Sequence, residues 1–193
     1  MGILIRFSFR RLFIAIALIV STSPSLNVGS AWAAETFPEY DVKAVLIVQV
    51  AKFIQWPQTS DSGRSLHVCV LGDDPFGPAF DALRDKQVGG RPLTTERLQN
   101  LQSDRDRCHI LFISRSEKSR LTSILAKLKT SPILTIADTQ GFAHLGGILN
   151  LEIENDRVIF EINVRSSEIA GLRIDARLLE LAIIVGDEQA GDK

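Results

Sequence analysis

Glu39–Pro57 reads EYDVKAVLIVQVAKFIQWP, and the rest of the chain is interpreted outward from it. Tyr40, Ala44, Ile47, Ala51 and Ile54 recur at steps of three and four, so they share one face of a helix. Val42, Val45, Leu46, Val48 and Val50 widen that stripe nearly all the way round, which predicts burial against a sheet and a second element. Pro38 suits the first helical turn, where its missing N–H costs nothing. Pro57 predicts the stop and pushes Trp56 out of the helical region. Trp56 and Phe53 are thereby placed at a helix end, as a lid on the core or as anchors for a partner.

Ahead of this stretch, Met1–Val20 has the organisation of an export signal. Arg6, Arg10 and Arg11 precede the apolar run Leu12–Val20, which is short for a bilayer span. Ala31-Trp32-Ala33 offers a small-x-small cleavage pattern, so residues 1–33 are assigned as signal peptide and 34–193 as one domain, with its core at about 39–185. Removing 1–33 takes away three arginines and no acid, leaving 19 bases against 23 acids, a net charge of −4. That balance gives no electrostatic reason to seek nucleic acid. The two cysteines, Cys69 and Cys108, would meet an oxidising compartment, where a pair becomes a disulfide. Neither lies in a metal-ligand spacing, so no metal is assigned.

Further along, LHVCVLG at Leu66–Gly72, CHILFIS at Cys108–Ser114 and Ile133–Ala137 are short apolar runs of buried-strand type, with Pro92–Leu98 a weaker strand between the first two. Helices are predicted over Phe76–Leu83 and from Ser114 to Ser131, with a helical turn from Asp138 to Phe142. Leu149, Leu151 and Ile153, then Val158, Phe160 and Ile162, alternate with polar residues around Asn155-Asp156, which predicts an antiparallel hairpin. Ile174, Leu178, Leu181, Ala182 and Val185 fit a closing helix that ends at Gly186. The expected fold is an α/β three-layer sandwich, with a mostly parallel, doubly wound sheet and a C-terminal antiparallel hairpin. A 2-1-3 strand order makes Leu66–Gly72 and Cys108–Ser114 neighbours, which places Cys69 beside Cys108.

Catalytic readings are weak. Alternation along the strand puts His109 opposite Cys108, and a bonded Cys69 is no nucleophile for His67. No GxSxG, HExxH or phosphate-binding glycine motif is present. No catalytic residue and no cofactor is assigned. In a sheet of this class ligands bind beyond the carboxyl ends of the strands, which here carry Asp73, Asp74, Ser114, Ser116, Asp138 and Thr139. The same residues also serve as caps and turns. Arg173 and Arg177 on the closing segment are candidates, with Phe53 and Trp56, for a partner or dimer surface.

In order along the chain, EYDVKAVLIVQVAKFIQWP, VCVLGDDPFG, GRPL at Gly90–Leu93, CHILFIS, GFAHLGGILNLEIENDRVIFEIN and AGLRIDARLLELA resemble the YfiR family. The resemblance runs from about Glu39 to Val185 and implies a non-enzymatic periplasmic regulator. Its best-known member dimerises, responds to small ligands and to redox state, and restrains an inner-membrane diguanylate cyclase by binding its periplasmic domain. The resemblance thus implies control of cyclic-di-GMP, a homodimer and a membrane partner. Cys69 and Cys108 match one family disulfide. The second pair has no counterpart, since Leu145 and Ile148 flank Gly146-Gly147, so a structural bond is implied and redox sensing is not. The alternative is a periplasmic small-molecule-binding protein using the strand edge as its pocket.

Overall fold

Three short, largely apolar runs have little polar face to offer water, and the protein buries them side by side. The computed structural model describes residues 39–57, 65–101, 107–155 and 157–186. Residues 1–33, Pro38, the loop Thr59–Arg64 and the tail from Asp187 lie outside them. Strands β2 (Leu66–Leu71), β5 (Ile110–Ile113) and β6 (Leu134–Ala137) run parallel in the middle of the sheet. On one flank β2 pairs in parallel with β4 (Arg91–Leu98), which folds back on β3 (Gln87–Val88). The β3–β4 turn is Gly89-Gly90, both with positive φ, the backbone a two-residue hairpin requires. On the other flank β6 pairs with the hairpin β7 (Leu149–Glu154) and β8 (Arg157–Asn163). The order across the sheet is β10-β8-β7-β6-β5-β2-β4-β3, where β10 is Ile183–Val185.

Helices cover both faces. Ile47, Ala51, Phe80, Phe112 and Leu151 belong to the core under α1 (Glu39–Ala51) and α2 (Pro78–Asp81). Cys69, Leu111, Ile113 and Ile124 belong to a separate core under α3 (Leu121–Leu128). This is the expected three-layer sandwich, and β4-β2-β5 is the 2-1-3 order. The order also delivers the cysteines: Cys69 and Cys108 form a disulfide with a Cα–Cα distance of 5.9 Å.

Several boundaries differ from expectation. Helix α1 stops at Ala51 rather than Pro57. The amides of Lys52 and Phe53 close back on the carbonyls of Gln49 and Val50, a tightened last turn. Ile54-Gln55 then leave as strand β1, antiparallel to β9 (Arg173–Ile174). Nor is α1 buried all round, for Val45 is 55% exposed. The expected closing helix is broken into β9, the single turn α5 (Ala176–Leu179) and β10. Asp175 caps α5 by accepting from the Arg177 amide, and Ile183–Val185 pair in parallel with Glu161–Asn163 of β8, whose edge would otherwise be open. The hairpin is therefore one strand in from the sheet edge. Asp138–Phe142 is a turn, not a helix, and α2 begins at Pro78 instead of near Pro75. An unforeseen helix, α4 (Val164–Ile169), is capped by Asn163, whose Oδ1 accepts from the Ser166 amide at 2.8 Å.

The disulfide closes a separation of 39 residues, for which chain entropy predicts about 4 kcal/mol of stabilisation. Replacing Cys69 and Cys108 together by alanine is expected to lower the urea-unfolding free energy by about that amount. An unchanged unfolding midpoint would show that the bond is not structural.

Candidate functional site

Beyond the carboxyl end of β6 lies Asp138, whose side chain is 1% exposed. A buried carboxylate needs partners, and α1 supplies them. Lys43, fully buried, donates to Asp138 Oδ2 at 2.7 Å and also pairs with Glu39 one turn earlier. Tyr40 donates its hydroxyl to the same Oδ2 at 2.9 Å, and the Lys43 ammonium lies 4.7 Å from the Tyr40 ring centroid. From the 3-10 turn Arg115–Arg120 that leads into α3, Arg115 adds a guanidinium contact to Oδ2 at 3.2 Å and donates from Nε to the Asp138 carbonyl at 3.2 Å. Asp138 Oδ1 is buried with no hydrogen-bond partner among the described residues. Burial first, and then the hydrogen bond to Asp138, push the Tyr40 hydroxyl up to about 12.

A cavity of about 440 Å³ opens beside this cluster, lined by Glu39, Arg115, Lys118, Asp138, Thr139, Glu152 and Glu154 among others. Of the six residues expected at the strand edge, it takes in Asp138 and Thr139. The other four act locally. Asp74 accepts from the Phe76 amide at 2.8 Å and from Arg97 Nε at 2.7 Å. Ser116 Oγ accepts from the Asp73 amide at 3.0 Å, and Ser114 caps the 3-10 turn. Gly72 permits that approach: at φ +87°, its missing Cβ would stand 2.4 Å from Ser116 Oγ.

The expected partner residues gather at the other end of the sheet. The Phe53 carbonyl accepts from the Asp175 amide, and the Arg177 guanidinium lies 5.3 Å from the Phe53 ring centroid. Arg177 grips Asp175 with two nitrogens, at 2.9 and 2.8 Å, and holds its carboxyl down to about 2. Arg173 is exposed in β9, opposite Gln55. Trp56, next in sequence, is half-buried: its indole N–H donates to the His109 carbonyl at 3.2 Å. The His109 ring stacks on His67, at 5.6 Å between centroids, and burial lowers the pKa of His67.

Sequence reasoning placed Arg115 at the carboxyl edge of the strands but missed Tyr40, Lys43 and Arg97. The one available signal was the Glu39–Lys43 spacing of four, which reads more readily as a surface pair. Among the described residues, no group of three or more His, Cys, Asp or Glu side chains could hold a metal ion, and no helix is long and apolar enough to cross a membrane.

A doubly wound α/β domain closed by one disulfide, with a charged cluster at one end of its sheet and an Arg–aromatic surface at the other, defines the class of protein. Residues 40–183 match the model of a family described as YfiR/HmsC-like. The chain belongs to that family.

Two outcomes test the buried cluster. Lys43→Ala leaves Asp138 buried against its neighbours and is expected to cost about 3–5 kcal/mol, whereas pairing Lys43→Met with Asp138→Leu should restore most of it. A milder single variant, measured by urea unfolding, would show that Lys43 is solvated. Because Tyr40 is the sole tyrosine, absorbance reports it alone. The native protein should titrate near pH 12 and the urea-unfolded chain near 10. The folded state then holds a proton that the unfolded state has released, so stability falls as pH rises from 10 to 12. A native midpoint at 10 would contradict both the burial of the hydroxyl and its hydrogen bond to Asp138.

Proposed function

We propose that this protein is a non-enzymatic periplasmic regulator that binds the extracytoplasmic domain of an inner-membrane signalling protein and restrains it. In this reading the restrained protein is a diguanylate cyclase, so loss of binding raises cyclic-di-GMP. The observation that carries the proposal is the family match across residues 40–183. A disulfide with both sulfurs buried supports an oxidising compartment and argues against a thiol catalyst, which needs an accessible thiolate. Residues 1–33 are taken as the cleaved export signal and 34–193 as the single working domain, acting as a homodimer. The docking surface is Phe53, Trp56, Arg173 and Arg177. There a half-buried aromatic pair stands beside two exposed arginines, the residue types that dominate binding energy at interfaces.

A second reading, small-molecule binding at the strand carboxyl ends, is favoured by the 440 Å³ cavity at Asp138 and Thr139. Asp138 is so deeply tied to Lys43 that Thr139 and Lys118 are the better probes of it. A thermal shift with one ligand, lost in Lys118→Ala, would establish this reading.

The test mixes the oxidised, exported chain with the extracytoplasmic domain of the membrane signalling protein encoded beside it. Association at micromolar concentration is expected, together with a loss of about tenfold or more in Arg177→Glu at unchanged melting temperature. No association, with or without reductant, would sink the proposal.

A further inference from the structure

The segment Arg115–Thr130 carries five bases, Arg115, Lys118, Arg120, Lys127 and Lys129, against one acid, Glu117. Glu117 is buried and is held by Arg120 at 2.6 Å, while Arg115 is engaged by Asp138. Lys118 and Lys129 are exposed, with no acid partner among the described residues. Lys118, in the 3-10 turn, and Thr122, Ala126 and Lys129, along α3 to its C-cap, succeed one another at steps of four, four and three; all are exposed, and Lys118, at the far end of this stripe, lines the cavity at Asp138. Between its two lysines the stripe bears only the small side chains Thr122 and Ala126. This positive strip belongs to a chain whose overall balance is acidic.

Beside the stripe runs a groove of about 240 Å³ between α3, the turn ahead of β7 and α4. Thr122, Ala126 and Lys129 line one wall. Leu145 and Ile169 line the other and are 52% and 40% exposed. No acid is among the groove's lining residues. Small residues on one wall let a second backbone come close, apolar residues on the other give it something to bury, and cations at the stripe's ends attract negative charge. A bilayer surface is flat and leaves a concave groove unfilled, whereas apolar side chains projecting from a helix can enter it.

From this we infer that the α3–α4 groove is a docking site for an acidic amphipathic helix of a protein partner, its apolar side against Leu145 and Ile169 and its carboxylates toward Lys118 and Lys129. The inference rests on the regulatory reading above and names a further contact surface for it.

The test uses the exported, oxidised chain and a fluorescein-labelled synthetic helix with leucine on one side and glutamate on the other, read by anisotropy. Binding is expected, about tenfold weaker at high salt. It should fall by about tenfold in Lys118→Glu combined with Lys129→Glu, and also in Leu145→Asp, with melting temperatures unchanged. A leucine–lysine helix should not bind. Equal binding of the two peptides, or full binding by the double variant, would overturn the inference, as would tighter binding to phosphatidylglycerol vesicles than to the peptide. In parallel, the extracytoplasmic domain is titrated with wild type and double variant. Equal affinity overturns the groove as its seat. Peptide binding without domain binding leaves the groove standing and removes the regulatory reading.

Discussion

An ammonium group with no exposed surface must find its counter-charge inside the protein or lose its charge. Lys43 is such a group, and Asp138 is the answer the fold supplies. The pair joins the first helix to the end of a central strand, fixing how far α1 slides along the sheet. Tyr40 and Arg115 complete the arrangement on the same oxygen. Several charges sharing one buried carboxylate hold a geometry that one apolar contact would leave loose. The rest of α1 follows from that position: Ile47 and Ala51 in the core, and the exit at Ala51 toward β1.

The two ends of the sheet therefore have different characters. The carboxyl end, where ligands enter folds of this class, has its most buried anion already engaged by the protein's own cations. What remains there is a polar cavity rimmed by both signs of charge. The amino end carries the small β1–β9 sheet, where Arg177 is held by Asp175 beside Phe53. A guanidinium fixed by its own carboxylate loses little freedom on meeting a partner.

The strands were legible in sequence because continuous apolar runs such as Leu66–Leu71 and Ile110–Ile113 have one comfortable place, inside a parallel sheet. Gly89-Gly90 and the disulfide were legible for similar reasons, turn chemistry and strand order. The C-terminal segment was not. Ile174, Leu178, Leu181, Ala182 and Val185 satisfy a helical period, yet Ile183–Val185 also suit a strand. The open edge of β8 decided between them, and no local pattern reports an edge created elsewhere. Asp138 was visible as a polar residue closing a strand. Lys43 was not, since its burial follows from a contact 95 residues away.

That same separation has a consequence for assembly. The helix that opens the described domain is made first, but its charge partner comes off the ribosome 95 residues later. Until then the ammonium has no buried counter-charge, and a helix of this length is marginal on its own. Helix α1 can thus be seated by its charge partner only once the chain through Asp138 is present.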